Sequence, residues 1–151
     1  MKKIILNIST IFIIAMSFIA CDDNSNNGEA HKMHWDRDMC ERCKMVVSVR
    51  NHAVQVINPK DEEVYKFDDI GCTIMWFKEN DITWKNEAKI LITDVNTGKW
   101  IDVRTAYFDT SHKTPMGYGF SANKTKEAIN DENSEIINFE EVEKRILKRN
   151  R

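Results

Sequence analysis

Residues 53–79, AVQVINPKDEEVYKFDDIGCTIMWFKE, decide the fold, because they contain two short strands, a turn and a helix in immediate succession. Residues 53–57 are mostly apolar and β-branched, and residues 63–67 alternate between polar and apolar side chains with period two. The intervening NPKD at residues 58–61 has the composition of a turn. This stretch therefore predicts an antiparallel β-hairpin that leads directly into a helix.

The predicted helix spans about Ile70 to Glu79, with Asp68 or Asp69 as its N-cap. Apolar side chains cover most of its circumference rather than one stripe. They are Ile70, Ile74 and Phe77 on one side and Cys72, Met75 and Trp76 on the other. A helix of this kind is either buried on both sides or docks a partner. Burial within the domain is the simpler interpretation.

The chain downstream of this helix repeats a similar order of elements. Predicted strands cover residues 89–93, 100–103, 106–108 and 135–137. Ser121 is a plausible N-cap for a second helix over residues 122–131. Asn138 and Glu141 fit a capping box at the start of a C-terminal helix.

Matched residues at one offset suggest an internal duplication. The pairs are Tyr65 with Tyr118, Phe67 with Phe120, Glu79 with Glu132 and Asn80 with Asn133. The predicted fold is therefore an α+β domain of two duplicated ββαβ units, followed by the C-terminal helix. The approximate halves are residues 35–98 and 99–151.

Residues 1–20 have the layout of a lipoprotein signal peptide. Lys2 and Lys3 precede a mostly apolar run that ends at Ile19, and SFIAC at residues 17–21 resembles a bacterial lipobox. An uncleaved membrane anchor is the alternative interpretation. In either case we expect the folded part to face the periplasm while attached to the inner or the outer membrane.

Cleavage would make Cys21 the first residue of the mature protein and the site of lipidation. Residues 21–34 are then predicted to be a flexible tether, and residues 35–151 the folded domain. The chain has 24 acidic and 22 basic residues, two of the basic ones in the leader, so the mature protein is mildly acidic. This balance argues against nucleic acid as a partner.

The stretch MCERCKM at residues 39–45 places two thiols between two thioethers. With Cys21 consumed by lipid, an odd number of thiols remains, which is unusual for a disulfide framework. Structural zinc would need Cys72 and a histidine beside Cys40 and Cys43 to complete four ligands. A redox dithiol usually opens a helix, whereas a strand-like segment follows here. Cu(I) suits thiolates and thioethers, with Met45 joining the two cysteines.

Two further segments carry candidate ligands. The motif TPMGYG at residues 114–119 forces a tight turn that displays Met116, and an exposed thioether suits an ion that must be passed on. Upstream, His31 and His34 flank Met33. They are either an auxiliary metal-capture arm or solvated residues of the tether.

These motifs, in their order, resemble the NosL family, lipoproteins that accompany nitrous oxide reductase and act as copper chaperones. The motifs are Cys40-x-x-Cys43-x-Met45, FDDIGC at residues 67–72, WID at residues 100–102 and TPMGYG at residues 114–119. The resemblance runs from about Cys40 to Glu127, together with the lipobox. It implies a periplasmic carrier of Cu(I), not an enzyme, whose partner is the machinery that assembles the copper sites of nitrous oxide reductase.

The resemblance also implies a fold and a ligand set. The fold is two ββαβ units related to an organomercurial-lyase domain. Cys40, Cys43 and Met45 would hold the metal, and Met116 would complete or release the site. The family motif usually has glycine before this first methionine, whereas this chain has Lys44. Glycine reaches positive φ easily and lysine does not, so we expect the loop to close differently here.

An enzyme is the alternative to a carrier. The pair Cys40 and Cys43 would then serve a thiol–disulfide oxidoreductase or a carbon–metal lyase similar to organomercurial lyase. A lyase needs a proton donor beside its cysteines, and Asp68 or Asp69 near Cys72 would be the candidate.

Overall fold

Two antiparallel sheets and two α-helices form the part of the chain that the computed structural model describes, residues 30–131 and 133–149. The elements in chain order are β1 Val54–Ile57, β2 Val64–Phe67, α1 Ile70–Glu79, β3 Lys89–Thr93, β4 Trp100–Asp102, β5 Tyr107–Asp109, β6 Ser121–Asn123, a 3-10 turn Lys126–Ala128 and α2 Phe139–Arg149. The first sheet has the order β2-β1-β3-β4, and β5 pairs with β6 in the second. The predicted α+β class is confirmed.

The hairpin and helix at residues 53–79 are confirmed. Strands β1 and β2 pair in antiparallel register from Val54 opposite Phe67 to Ile57 opposite Val64. Asp69 is the N-cap of α1, since its Oδ1 accepts the Gly71 N–H at 2.9 Å. All side chains from residue 70 to residue 77 are buried. The apolar circumference of α1 is thus explained by burial inside the domain.

The second predicted helix, over residues 122–131, is wrong. Ser121–Asn123 is strand β6, paired with β5, and one 3-10 turn follows. The Asn123 side-chain amide donates to Asp109 Oδ2 at 2.7 Å, and the Lys124 N–H donates to Asp94 Oδ2 at 2.8 Å. These long-range bonds hold the predicted first turn of the helix in an extended conformation. The second unit therefore keeps its hairpin but has no α-helix at this place.

The C-terminal helix is confirmed as α2, and it packs on α1 through buried Val142 and Ile146. The Glu141 N–H donates to Asn138 Oδ1 at 3.0 Å, which is half of the predicted capping box. Of the strand predicted at residues 135–137, Ile137 forms a single bridge with Phe108.

The predicted signal peptide and lipidation site, residues 1–20 and Cys21, lie outside the described residues. None of the helices in the described ranges is long and apolar enough to cross a membrane. The end of the predicted tether does not remain free. Gln55 binds the main chain of His31 through two hydrogen bonds of 2.8 Å, and Met33 is buried in the core.

Candidate metal centre

The loop at residues 40–45 is a tight hairpin. The Cys40 N–H donates to the Met45 carbonyl oxygen at 2.8 Å, and the Lys44 N–H donates to the Cys40 carbonyl oxygen at 3.0 Å. Lys44 closes this turn with a φ of 59°. Lysine thus adopts the positive φ that glycine reaches more easily.

The strain at Lys44 gives a first prediction. Lys44→Gly is expected to be more stable than Lys44→Ala by about 1 kcal/mol. A non-glycine residue in the left-handed region costs roughly 1–2 kcal/mol, and glycine avoids this cost. Part of the gain is offset because glycine also gives the unfolded chain more conformational freedom. Both variants lose the same exposed ion pair with Glu41, so alanine is the matched control. Urea denaturation measures the difference. Equal stabilities would contradict the assigned backbone conformation.

Thiols from two separate elements meet beside the N-terminus of α1. Cys40 and Cys43 lie in the hairpin, and Cys72 lies in the first turn of α1. Asp68, between β2 and α1, completes a group whose ligand atoms all lie within 4.8 Å of one another. Cys40, Cys72 and Asp68 are buried, Cys43 is partly exposed, and all three thiols are free of disulfides.

The surroundings of the thiols favour a negative charge on Cys40. The Cys72 thiol donates to the Cys40 sulfur, and the N–H groups of Cys43 and Asp68 add to this effect, so the pKa of Cys40 is lowered to about 6. The same interaction raises the pKa of Cys72 above its usual range. Burial raises the pKa of Cys43 to about 11. A metal cation would displace the remaining thiol protons, since thiolates are the ligands.

Asp68 places a carboxylate beside these sulfurs. The Cys43 thiol lies 3.8 and 3.7 Å from the two carboxylate oxygens of Asp68, and the Asp68 side chain is buried. The negative charge of Asp68 contributes to the raised pKa of both Cys43 and Cys72. Asp68 can therefore act as an oxygen ligand to a bound cation.

The two methionines of the predicted ligand set lie on the segments next to the thiols. The hydrogen bond between their backbones places Met45 opposite Cys40, and facing β-carbons in a hairpin are about 5 Å apart. The Met45 side chain is nevertheless 55% exposed. Met116 is half-buried against the core rather than displayed, and its N–H binds Asp69 at the start of α1.

The histidines of the predicted capture arm are not members of the thiol group. His31 is held through its main chain by Gln55. The exposed imidazole of His34 lies 3.6 Å from Asp38. Within the described residues the arm is therefore fixed to the sheet rather than extended toward the metal ligands.

Asp69 joins the loop at residues 114–119 to α1. Its Oδ2 accepts from the Thr114 hydroxyl at 2.6 Å and from the Met116 N–H at 3.1 Å, while its Oδ1 caps the helix at Gly71. Burial raises the pKa of the Asp69 carboxyl. The two donors from Thr114 and Met116 fix the position of this loop relative to the first turn of α1.

Gly71 allows this loop to approach the helix closely. A β-carbon at Gly71 would lie 2.1 Å from the ring of Tyr118. The Tyr118 ring therefore packs directly on the helix backbone, one residue before Cys72. The glycine in FDDIGC is required by this contact.

Arg42 links the cysteine hairpin to both of these elements. Its guanidinium forms two hydrogen bonds to Glu79 at 2.7 and 2.9 Å, and its Nη1 lies 3.4 Å from the Tyr118 hydroxyl. Glu79, and to a smaller extent Tyr118 and the Cys72 thiol, raise the pKa of Arg42. The guanidinium therefore stays charged beside the thiol group.

Two residues of this centre, Cys72 and Asp68, were not predicted as copper ligands from the sequence. From the sequence, Cys72 was expected in a zinc site or beside the proton donor of a lyase and not among the Cu(I) ligands, and Asp68 was expected as a cap or a proton donor. The sequence did contain a signal for them. Asp68 precedes the N-cap Asp69 and Cys72 follows it in the first turn, so both residues lie at the same end of α1.

Comparison with known proteins finds a family model and a solved structure that are similar to this chain. The family model described as NosL matches residues 32–147 of this chain. The crystal structure of the copper chaperone NosL from Shewanella denitrificans is similar in fold, with a TM-score of 0.61 and 14% sequence identity. That match covers 75% of this chain and 95% of the Shewanella chain. A comparison with curated proteins found no match.

Proposed function

Because the family model covers most of its length, the chain belongs to the NosL family, and we propose that it is a membrane-anchored periplasmic Cu(I) chaperone that serves the maturation of nitrous oxide reductase. The family assignment confirms the resemblance predicted from the motifs. Together with the structural match, it also confirms the prediction that the chain is not an enzyme.

The observation that carries the proposal is the convergence of Cys40, Cys43 and Cys72 within 4.8 Å, with Asp68 beside them. Thiolates are soft ligands that suit Cu(I), and copper is the cargo of the chaperone with the similar fold. The donor set fits this ion because it brings together several sulfurs in a largely buried place. The thioether of Met45 lies at the exposed side of the same hairpin.

Zinc is the competing cargo. Three thiolates and a carboxylate are also a suitable tetrahedral ligand set for Zn(II). Copper is favoured by the methionines on the segments that flank the thiols, since thioethers are good ligands for Cu(I) and are not among the usual ligands of Zn(II). A test of the proposed cargo must therefore compare the two ions.

The arrangement of the thiols is unsuited to thiol–disulfide exchange. An attacking thiol needs both thiolate character and access to its target. Cys40 has a lowered pKa but is fully buried, whereas Cys43 is partly exposed but has a raised pKa. Neither cysteine combines the two requirements, so the geometry favours a held metal over a reactive dithiol.

Release of the metal is proposed to begin at the hairpin. Cys43 is the most exposed of the three thiols, and Met45 is more exposed still. A partner's thioether or thiol can therefore replace these ligands while Cys40 and Cys72 still hold the ion. Stepwise exchange of this kind suits a carrier that must give up its cargo to a copper-site assembly protein.

The attachment and location of the protein remain as the sequence predicts them. The leader at residues 1–20 and the lipobox ending at Cys21 support a lipid anchor. The reduced thiols would then work outside the cytoplasm, close to the membrane. The partner that we propose is the assembly machinery of nitrous oxide reductase.

Anaerobic titration of the full-length protein in detergent micelles tests the cargo. Cu(I) is added in competition with a chromophoric Cu(I) chelator, and Zn(II) is titrated in parallel with its own indicator. We expect one Cu(I) per chain, bound more tightly than Zn(II). Tighter binding of Zn(II), or no metal binding together with a readily formed Cys40–Cys43 disulfide, would contradict the proposal.

A further inference from the structure

The loaded thiol group carries an excess of negative charge. A monovalent ion held by the thiolates of Cys40, Cys43 and Cys72 brings one positive charge against three negative ones, and the Asp68 carboxylate adds a fourth. Burying unbalanced charge is unfavourable unless an opposite charge lies close by. A positively charged side chain beside the thiols would therefore help the protein to retain the metal.

Arg42 is such a cation. It lies in the hairpin between Cys40 and Cys43, and its guanidinium is held by Glu79 at 2.7 and 2.9 Å. The same side chain contacts the Tyr118 hydroxyl and interacts with the Cys72 thiol. It is 24% exposed, so solvent screens its charge only in part.

Lys44 in the same hairpin offers a useful contrast. Its ammonium group pairs with Glu41 at 2.9 Å and its side chain is 60% exposed. Solvent therefore screens most of its charge. The two cations of the hairpin differ in exposure and in partner, although both lie next to Cys43 in the chain.

We propose that Arg42 is a positioning residue that balances the negative charge of the loaded thiol group and thereby sets how firmly the protein holds Cu(I). This inference rests on the proposed function as a Cu(I) carrier. Glu79 has a supporting role, because a bidentate carboxylate partner fixes the plane and position of the guanidinium. The partly exposed pair of Arg42 and Glu79 is also accessible to an approaching protein, so an acidic partner surface that drew Arg42 away would loosen the metal.

The test compares Arg42→Gln, Arg42→Lys, Glu79→Gln and Lys44→Gln in the full-length protein. The Cu(I) affinity is measured by chelator competition, and the rate of Cu(I) transfer to excess chelator is measured by stopped-flow absorbance. We expect Arg42→Gln to weaken binding and to speed transfer by about tenfold, the lower end of the range for residues that support metal ligands. Arg42→Lys should restore most of the loss, and Lys44→Gln should stay close to the wild type.

Glu79→Gln distinguishes the effect of the Arg42 charge from the effect of its ion pair with Glu79. This variant breaks the ion pair but keeps the charged guanidinium. We expect it to retain most of the Cu(I) affinity. A loss equal to that of Arg42→Gln, or no rescue by lysine, would overturn the inference, and so would a wild-type affinity in Arg42→Gln. Failure of the wild-type protein to bind Cu(I) would instead contradict the proposed function. Thermal unfolding of the metal-free variants checks that each one is folded.

Discussion

Replacing both Cys40 and Cys43 with serine is expected to lower the Cu(I) affinity by more than about 100-fold. Loss of a residue that only supports a metal ligand typically costs about 10–100-fold, and this change removes two of the three thiols of the site themselves. Serine keeps the size of the side chain but not the soft sulfur. Chelator competition under anaerobic conditions measures the loss. Circular dichroism and thermal unfolding of the metal-free protein are expected to show a folded domain.

The matched comparison is Met39→Leu, which changes a neighbouring sulfur side chain that is 52% exposed. We expect this variant to bind Cu(I) with an affinity close to that of the wild type. A folded double-serine variant that still bound one Cu(I) with wild-type affinity would place the metal elsewhere. The hairpin would then have no part in binding.

Asp69→Ala is expected to have the largest effect on stability, lowering the free energy of unfolding by about 4 kcal/mol. An N-cap contributes about 1 kcal/mol, and each of the two other hydrogen bonds to this carboxylate contributes about 1.5 kcal/mol, the lower end for bonds to a charged group. The variant loses the helix cap at Gly71 and the two bonds to Thr114 and Met116. Urea denaturation measures this loss. Hydrogen exchange should also show faster opening of residues 114–119.

Asp68→Ala is the matched control, because Asp68 is the preceding residue and is buried to a similar degree. The carboxylate of Asp68 accepts only from the Cys43 thiol, a weak donor, among the side-chain hydrogen bonds of the described residues. Unlike Asp69, it neither caps α1 nor binds the loop at residues 114–119. We therefore expect a stability loss of less than about 1 kcal/mol, since thiols are weak hydrogen-bond donors, together with a reduced Cu(I) affinity. Equal losses of stability in the two alanine variants would contradict the division of roles between the adjacent aspartates.

The elements between residues 53 and 93 could be predicted because their signals are local. Alternation in β2, the turn before it and the cap at Asp69 all depend on neighbours within a few positions. The segment at residues 121–131 depends instead on distant partners. Asp109 binds Asn123 across 14 positions and Asp94 binds Lys124 across 30 positions, and these contacts override the local helical pattern.

The same distinction applies to the metal centre. The spacing of Cys40 and Cys43 is visible in the sequence, and their function follows from sulfur chemistry. The contribution of Cys72 depends on how the hairpin lies against α1, which the sequence does not state. Arg42 and Asp68 likewise acquire their roles from the packing of the cysteine hairpin against α1, Asp68 at the start of this helix and Arg42 through Glu79 at its end.

X-ray absorption at the copper edge, on the anaerobic Cu(I)-loaded protein, tests most directly whether the three converging thiols form the metal site. We predict a first coordination shell made mainly of sulfur. In Cys72→Ser, the number of sulfur neighbours should fall by one relative to the wild type. A shell dominated by nitrogen or oxygen, or a sulfur count that is unchanged in Cys72→Ser, would contradict the account.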